Sequence, residues 1–166
     1  NLHTGATLTR FHYAMAGMAD APGSLENDRQ MMERIHAQGI DRDCTSFADD
    51  PANNLAAPGE MGRLLGRLCR GEIIDAEASV GMVEMLGLAA NRDMIPRYLD
   101  PGVDIAHKFG SSGRIKADVG IIYLPGGPLV VSAFALAAAD ADGAAAIAEL
   151  TRLAVGALAP ARVKEG

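Results

Sequence analysis

The chain has 166 residues, of which 49% are hydrophobic and 22% charged, and its formal net charge is −6. This length and composition suit one ordinary domain, or part of a larger one, with a substantial core. The 15 lysines and arginines are scattered without a basic cluster, which argues against nucleic acid as a partner.

Metal sites and membrane spans have no signal in the sequence. Cys44 and Cys69 form no C-x-x-C motif and the four histidines show no H-x-x-x-H spacing, so we predict no metal or other cofactor. A disulfide between the two cysteines stays open, although two reduced thiols are the simpler interpretation. No apolar run reaches the roughly 18 residues of a membrane span, and we recognise no signal peptide in these residues.

The first hundred residues carry helical patterns. Helical spacing predicts an amphipathic helix over "ATLTRFHYAMAGMAD" with Thr9 as its N-cap, and a second helix that begins after Ser24 and closes at Gly39. A polar loop follows over 41–58; loops of this length are often functional, but simple surface chain is also possible. We predict two more helices, one over "APGEMGRLLGRLCRGE" and one with Asp75 as N-cap.

After residue 100 the pattern changes to strands. "VDIAHKF", "IKADVGIIYL" and "PLVVSAFALAA" are separated by the turn-like "GSSGR" and "PGG", which predicts three sequential antiparallel strands. An alanine-rich helix closes the chain, with Ile147, Leu150, Leu153 and Leu158 expected to cover one sheet face. Helices followed by strands indicate an α+β fold. We expect a helical region over 1–100 and strands plus a helix over 101–160, both within one domain.

Three stretches occur in a specific order along the chain. "AAPGEMGRLL" precedes a helix, and "PGVDIAHKFG" and "DVGIIYLPGGPLVV" follow it. Their order and spacing resemble the C-terminal part of class A β-lactamases and their penicillin-binding relatives, which carry T-T-P-x-x-M-A-x-L-L, V-A-H-K-T-G and D-V-G-I-V-Y-L-P. The resemblance covers most of residues 1–158, is strongest over 56–134, and implies the α+β fold of that superfamily.

The resemblance also implies an acyl-enzyme mechanism. In the family the serine of S-x-x-K attacks the lactam carbonyl, and the lysine of that motif helps to remove its proton. S-D-N shapes the cleft, and in class A a glutamate on the long loop activates water. The K-T-G strand forms the opposite wall: its lysine attracts the substrate carboxylate, its hydroxyl binds that carboxylate, and a backbone N–H just beyond it contributes to the oxyanion hole.

Carried onto this chain, the K-T-G wall falls on residues 108–110. Lys108 takes the lysine position, Gly110 the glycine position, and Ser111 would provide the oxyanion-hole amide. The simpler alternative for Lys108 is a solvated lysine at a strand end. Phe109 replaces the hydroxyl residue, so Ser111 or Ser112 would have to supply that hydroxyl.

The remaining motifs depart further from the family. The S-D-N position falls on Ala-Asp-Ala at 19–21, where only Asp20 is kept, and Asp20 can equally be an ordinary aspartate at a helix end. No glutamate lies between Glu33 and Glu60, although Asn53 lies near the family's loop asparagine. No lysine is preceded by a serine three residues earlier, so S-x-x-K is absent. We therefore expect the nucleophile on a missing N-terminal segment or on a second chain.

Three functions stay open at this point. The first is a β-lactamase-like serine hydrolase for a β-lactam or peptide-like small molecule, with its nucleophile outside these residues. The second is a catalytically inactive relative that keeps the fold and a binding cleft, and the third is a structural or protein-binding module. The family usually works outside the cytoplasm, so the resemblance implies a periplasmic or secreted location.

Overall fold

The computed structural model describes residues 5–47, 55–112 and 115–164. The chain divides into two compact units, Asn1–Ala56 and Ala57–Gly166. Helices precede a three-stranded antiparallel sheet, so the fold is α+β, as predicted from the sequence. The sequence-based division at residue 100 marks the change from helices to strands, and as a description of domains it stays a prediction.

The first unit contains two helices, α1 (Gly5–Met15) and α2 (Leu25–Gln38), and a 3₁₀ turn (Thr45–Phe47). The Ser24 hydroxyl accepts the N–H of Asn27 and caps α2, which ends at Gly39 with φ 79°, as predicted. The predicted N-cap at Thr9 is wrong. The backbone from Gly5 onward is already helical, so Thr9 lies in the second turn of α1.

The core of the first unit centres on Tyr13, which is 1% exposed. Ala16 and Met18 are buried with it, and Met31 of α2 packs against them. The Tyr13 hydroxyl donates to Asp28 Oδ1 at 2.6 Å. That hydrogen bond raises the pKa of Tyr13, since it stabilises the protonated phenol.

The second unit contains the sheet. Its elements are α3 (Pro58–Cys69), α4 (Ala76–Gly87), β1 (Ile105–Ser112), β2 (Ile115–Leu124), β3 (Gly127–Leu136) and α5 (Asp140–Leu158). The strands are antiparallel in the order β1-β2-β3, and Pro125 and Gly126 alone connect β2 to β3. Asp75 caps α4 by accepting the N–H of Ala78, as predicted.

Helices cover both faces of the sheet. On one face Leu65 and Leu68 of α3 pack with Val119 and Ile121 of β2, and α4 adds its apolar side chains. On the other face α5 packs with even-numbered residues of β2 such as Ile122. Side chains alternate along a strand, so β1 turns its odd-numbered residues toward α5 and its even-numbered ones toward the face of α3 and α4.

The sheet-facing side of α5 differs from the prediction. Ile147, Thr151 and Val155 recur every four residues and are at most 2% exposed. Leu150 and Leu153 lie to one side of that line and are more than half exposed, and Leu158, at the helix end, is 66% exposed. Of the four residues expected to cover the sheet, only Ile147 does so. No helix in the described part of the chain is long and apolar enough to cross a membrane.

Candidate functional site

Strand β1 lies at an edge of the sheet, where it pairs with β2 within the described residues. The N–H of Tyr123 donates to the carbonyl of Asp104 at 3.0 Å, one pair before β1 begins. Hydrogen-bonded and non-hydrogen-bonded pairs alternate in an antiparallel ladder, and the register of β1 runs without a bulge. The N–H of Ser111 and the carbonyl of Phe109 therefore point away from β2, toward the open edge.

Lys108 and Gly110 occupy the even-numbered face of this edge, and both are exposed. The Lys108 ammonium donates to the Phe109 carbonyl at 2.5 Å and lies 5.0 Å from the centroid of the Phe109 ring. A Cβ built at Gly110 would meet no atom within 4 Å. This stretch of the edge therefore combines a cation, an outward-facing backbone and open space.

Phe109 and Ser111 belong to the opposite face of the strand. Phe109 is half-buried and packs against the core beneath α5. Ser111 is exposed and lies directly across from Lys116 of β2, whose ammonium donates a hydrogen bond to the Ser111 hydroxyl. Lys116 itself is only 6% exposed. This exposed serine is thus held by a buried lysine.

A cavity of about 380 Å³ opens on the α5 face of the sheet. Its walls come from β1, β2, the segment after α4 and the start of α5. The lining residues are Asn91, Asp93, Met94, Arg97, Phe109, Ser111, Lys116, Ala141 and Ala144. The cavity can receive a small molecule with both apolar and hydrogen-bonding groups.

A buried His–Asp pair anchors the middle of the strand. His107 Nδ1 lies 2.8 Å from Asp118 Oδ1, and Asp118 Oδ2 accepts the N–H of Ile95 at 3.0 Å. The two side chains are 1% and 0% exposed. Because a carboxylate can only accept, His107 Nδ1 is the donor of this hydrogen bond, and Nε2 has no hydrogen-bond partner among the described residues.

Sequence reasoning missed this pair, although a signal was present. His107 directly precedes Lys108, and Asp118 begins the "DVGIIYL" stretch of the next strand. The hairpin register places both on one face, with His107 opposite Gly120. A Cβ at Gly120 would lie 2.7 Å from His107 Cβ, so this position leaves room for His107 only because it is a glycine.

Three further residues were predicted for the site: Asp20, Ser112 and Asn53. Asp20 is exposed in the turn after α1, in the first unit. Ser112 ends β1 opposite Ile115, and its side chain lies outside the described part of the structure. Asn53 also lies outside the described residues. Of the predicted site residues, the described part of β1 therefore groups Lys108, Phe109, Gly110 and Ser111.

The fold and this edge define a class. A helical region precedes an antiparallel sheet that helices cover on both faces, and solved structures of a β-lactamase and of PBP-A share this fold. A family model described as the β-lactamase enzyme family matches residues 12–158. The chain belongs to that family.

Solved structures are similar over most of this chain. The β-lactamase from Sphaerobacter thermophilus is 27% identical with a TM-score of 0.62, and the match covers 80% of this chain and 54% of that one. The class A β-lactamase from Mycobacterium abscessus is 20% identical with a TM-score of 0.61, covering 78% and 54%. PBP-A is 20% identical with a TM-score of 0.57, covering 78% and 51%.

The chain spans about half the length of these structures. No curated protein matches its sequence.

Proposed function

We propose that this chain supplies the lysine-bearing wall of a β-lactamase-like serine hydrolase, which cleaves β-lactam or peptide-like amides through an acyl-enzyme. The order of groups along the open edge of β1 carries the proposal: the exposed Lys108 ammonium, the open Gly110 and the outward N–H of Ser111. The cation attracts the substrate carboxylate, and the amide donates to the oxygen that becomes negative as the carbonyl is attacked. A PBP-A variant has been solved as an acyl-enzyme complex with penicillin G.

The nucleophile in this proposal comes from outside these 166 residues, because they contain no S-x-x-K. Two features favour a completing segment or second chain. Leu150 and Leu153 leave apolar surface on the outer side of α5. Within the described residues β3 pairs with β2 alone, which leaves its other edge available for a further strand.

A catalytically inactive relative that acts as a binding module is the second candidate. Phe109 favours it, because its half-buried ring stands where the family has a hydroxyl that binds the carboxylate. The Ala-Asp-Ala at 19–21 also lacks the hydroxyl and amide of S-D-N. Losing several such groups together removes transition-state stabilisation, whereas the exposed Lys108 stays available for binding.

A binding experiment tests the wall. Lys108→Ala should weaken binding of a carboxylate-bearing β-lactam roughly tenfold, the scale of one lost charge-assisted hydrogen bond. Titration calorimetry with Lys164→Ala as the control checks this, because Lys164 is also an exposed lysine but donates to the Arg97 carbonyl instead. Equal affinities for the wild type and both variants would favour a module without a cleft.

Turnover separates the two candidates. The 166-residue chain should not hydrolyse a chromogenic cephalosporin, and the intact mass of the native gene product shows whether further residues belong to the protein. Hydrolysis by a longer product that stops when the serine of its S-x-x-K is replaced supports the hydrolase. Binding without turnover by that longer product supports the inactive relative, and turnover that survives replacement of every serine excludes a serine mechanism.

A further inference from the structure

We infer that Ser111 and Lys116 form a nucleophile–base pair on the α5 face of the sheet, and that this pair accepts acyl groups from small activated esters. The inference does not depend on the proposed function. It uses the side chain of Ser111 rather than its backbone N–H, the face of β1 opposite Lys108, and residues of this chain alone.

The first step of the argument is the contact itself. The Ser111 hydroxyl and the Lys116 ammonium are joined by a hydrogen bond between directly opposed residues of β1 and β2. A serine hydroxyl becomes a competent nucleophile when a base lies within hydrogen-bond reach, and an amine can fill that role. The same contact serves either proton state: the ammonium donates to the hydroxyl, and the hydroxyl donates to the unprotonated amine.

The second step is the difference in access between the two groups. Ser111 is an exposed residue, so a reagent can approach it, while Lys116 is only 6% exposed. The lysine stem runs beneath α5, where a Cβ at Gly143 would lie 3.0 Å from Lys116 Cγ. The base is therefore held in position by packing, which lowers the entropic cost of reaching a reactive geometry.

The third step is the cavity beside the pair. Its volume of about 380 Å³ lies in the range of small-molecule sites. Phe109 and Met94 give it an apolar wall that suits the acyl part of an ester. Arg97 and Asn91 add N–H donors for a developing oxyanion; Asn91 Oδ1 already accepts the N–H of Asp93, so its Nδ2 is the donor.

The chemistry balances with the ester and water as the reactants. As Ser111 Oγ bonds to the ester carbonyl carbon, its proton passes to the unprotonated Lys116 amine. The carbon–oxygen bond to the leaving group then breaks, and the departing oxygen takes that proton, which leaves an acylated Ser111 and a free alcohol. Water attacks the acyl group by the same route and releases a carboxylic acid, restoring Ser111.

Covalent labelling tests the pair. We expect a fluorophosphonate probe to modify the purified 166-residue chain at Ser111, found by intact mass and peptide mapping, and 4-nitrophenyl acetate to acetylate the same residue. Ser111→Ala should remove this adduct. Lys116→Met should slow labelling at least tenfold while circular dichroism stays unchanged. Ser46→Ala is the matched control, since that hydroxyl lies in the first unit and donates to the Phe11 carbonyl.

Three results would overturn the inference: no adduct, an adduct on another serine, or labelling that Ser111→Ala does not reduce. Each would show that the Ser111–Lys116 contact only joins the two strands. Should Lys116→Met fail to fold, Lys116→Gln is the second variant, since it keeps a hydrogen-bond donor for Ser111 but has no base. A wild-type labelling rate in Lys116→Gln would show that the lysine has no role in the reaction. The β-lactam experiments above neither require nor exclude this labelling.

Discussion

The two faces of strand β1 carry different kinds of residue. Toward α5, His107 is buried and Phe109 is half-buried, and Ser111 is hydrogen-bonded to the buried Lys116. On the other face, Lys108 and Gly110 are exposed and open. Because alternate side chains of an edge strand face opposite ways, one short segment can anchor itself through one face and present groups to a ligand through the other.

The comparison also separates the two lysines of the hairpin. Lys116 is nearly buried and its position is set by α5, whereas Lys108 touches mainly its own strand neighbour. Substitutions at the buried His107–Asp118 pair and at the Lys116 stem should therefore lower stability more than substitutions at Lys108 and Gly110. Three predictions test this division and a fourth tests the outer side of α5, from the largest expected effect to the smallest.

Asp118→Ala should have the largest effect. It removes the acceptor of both His107 Nδ1 and the Ile95 N–H, and each buried donor left unsatisfied costs about 1–3 kcal/mol. Urea unfolding measures the free energy of unfolding, with Asp104→Ala as the control because that side chain is exposed. A loss below about 1 kcal/mol would mean that the buried pair does not anchor the strand.

Gly120→Ala should come next. Its new Cβ would lie 2.7 Å from His107 Cβ and 3.1 Å from the Ala106 carbonyl, and overpacking of this kind costs roughly 1–3 kcal/mol. Gly110→Ala places the same methyl group in open space and should change the free energy of unfolding by less than about 0.5 kcal/mol. Equal effects of the two substitutions on the unfolding midpoint would contradict the division between the faces.

The two lysines should also differ in the stability they confer. Lys116→Ala removes a buried stem and its hydrogen bond, at a cost of roughly 1–2 kcal/mol. Lys108→Ala removes an exposed side chain and should cost less than about 0.5 kcal/mol. Thermal unfolding of both variants at one protein concentration compares their stabilities. A larger loss of stability for Lys108→Ala than for Lys116→Ala would contradict the assignment of Lys116 as the buried lysine.

Leu153→Ala should have the smallest effect in the 166-residue chain. The side chain is 57% exposed on the outer side of α5, so we expect a change within about 0.5 kcal/mol. In a longer product whose extra residues cover α5, the same substitution should cost more, since the leucine would be buried there. An equal effect in both proteins would mean that nothing covers this side of the helix.

Much of the fold followed from local patterns in the sequence. Ser24 and Asp75 cap their helices as predicted, because an N-cap depends on a side chain and the backbone three residues ahead. The two-residue turn at Pro125 and Gly126 was also predictable, because a tight turn depends on residues that are neighbours in the chain. Thr9 shows the limit of such patterns: a good capping residue does not begin a helix whose backbone is already helical before it.

The candidate site was only partly predictable. The Lys-x-Gly edge followed from motif order, and its residues lie together because they are neighbours in the chain. The Ser111–Lys116 contact and the His107–Asp118 pair each join two strands, so they depend on the register of the hairpin. A slip of one residue would turn every side chain of the strand to the other face, and composition does not specify that register.

The amino-acid sequence by itself determined the order of helices and strands, the helix caps, the β2–β3 turn and the family resemblance, because these depend on residues close together in the chain. Only the tertiary structure decided which residues of α5 meet the sheet, which lysine is buried and which face of β1 is open. Those outcomes depend on how helices pack against a particular strand register. A periodic pattern can mark a helix as amphipathic, but Leu150 and Leu153 show that contact with the sheet selects the buried side.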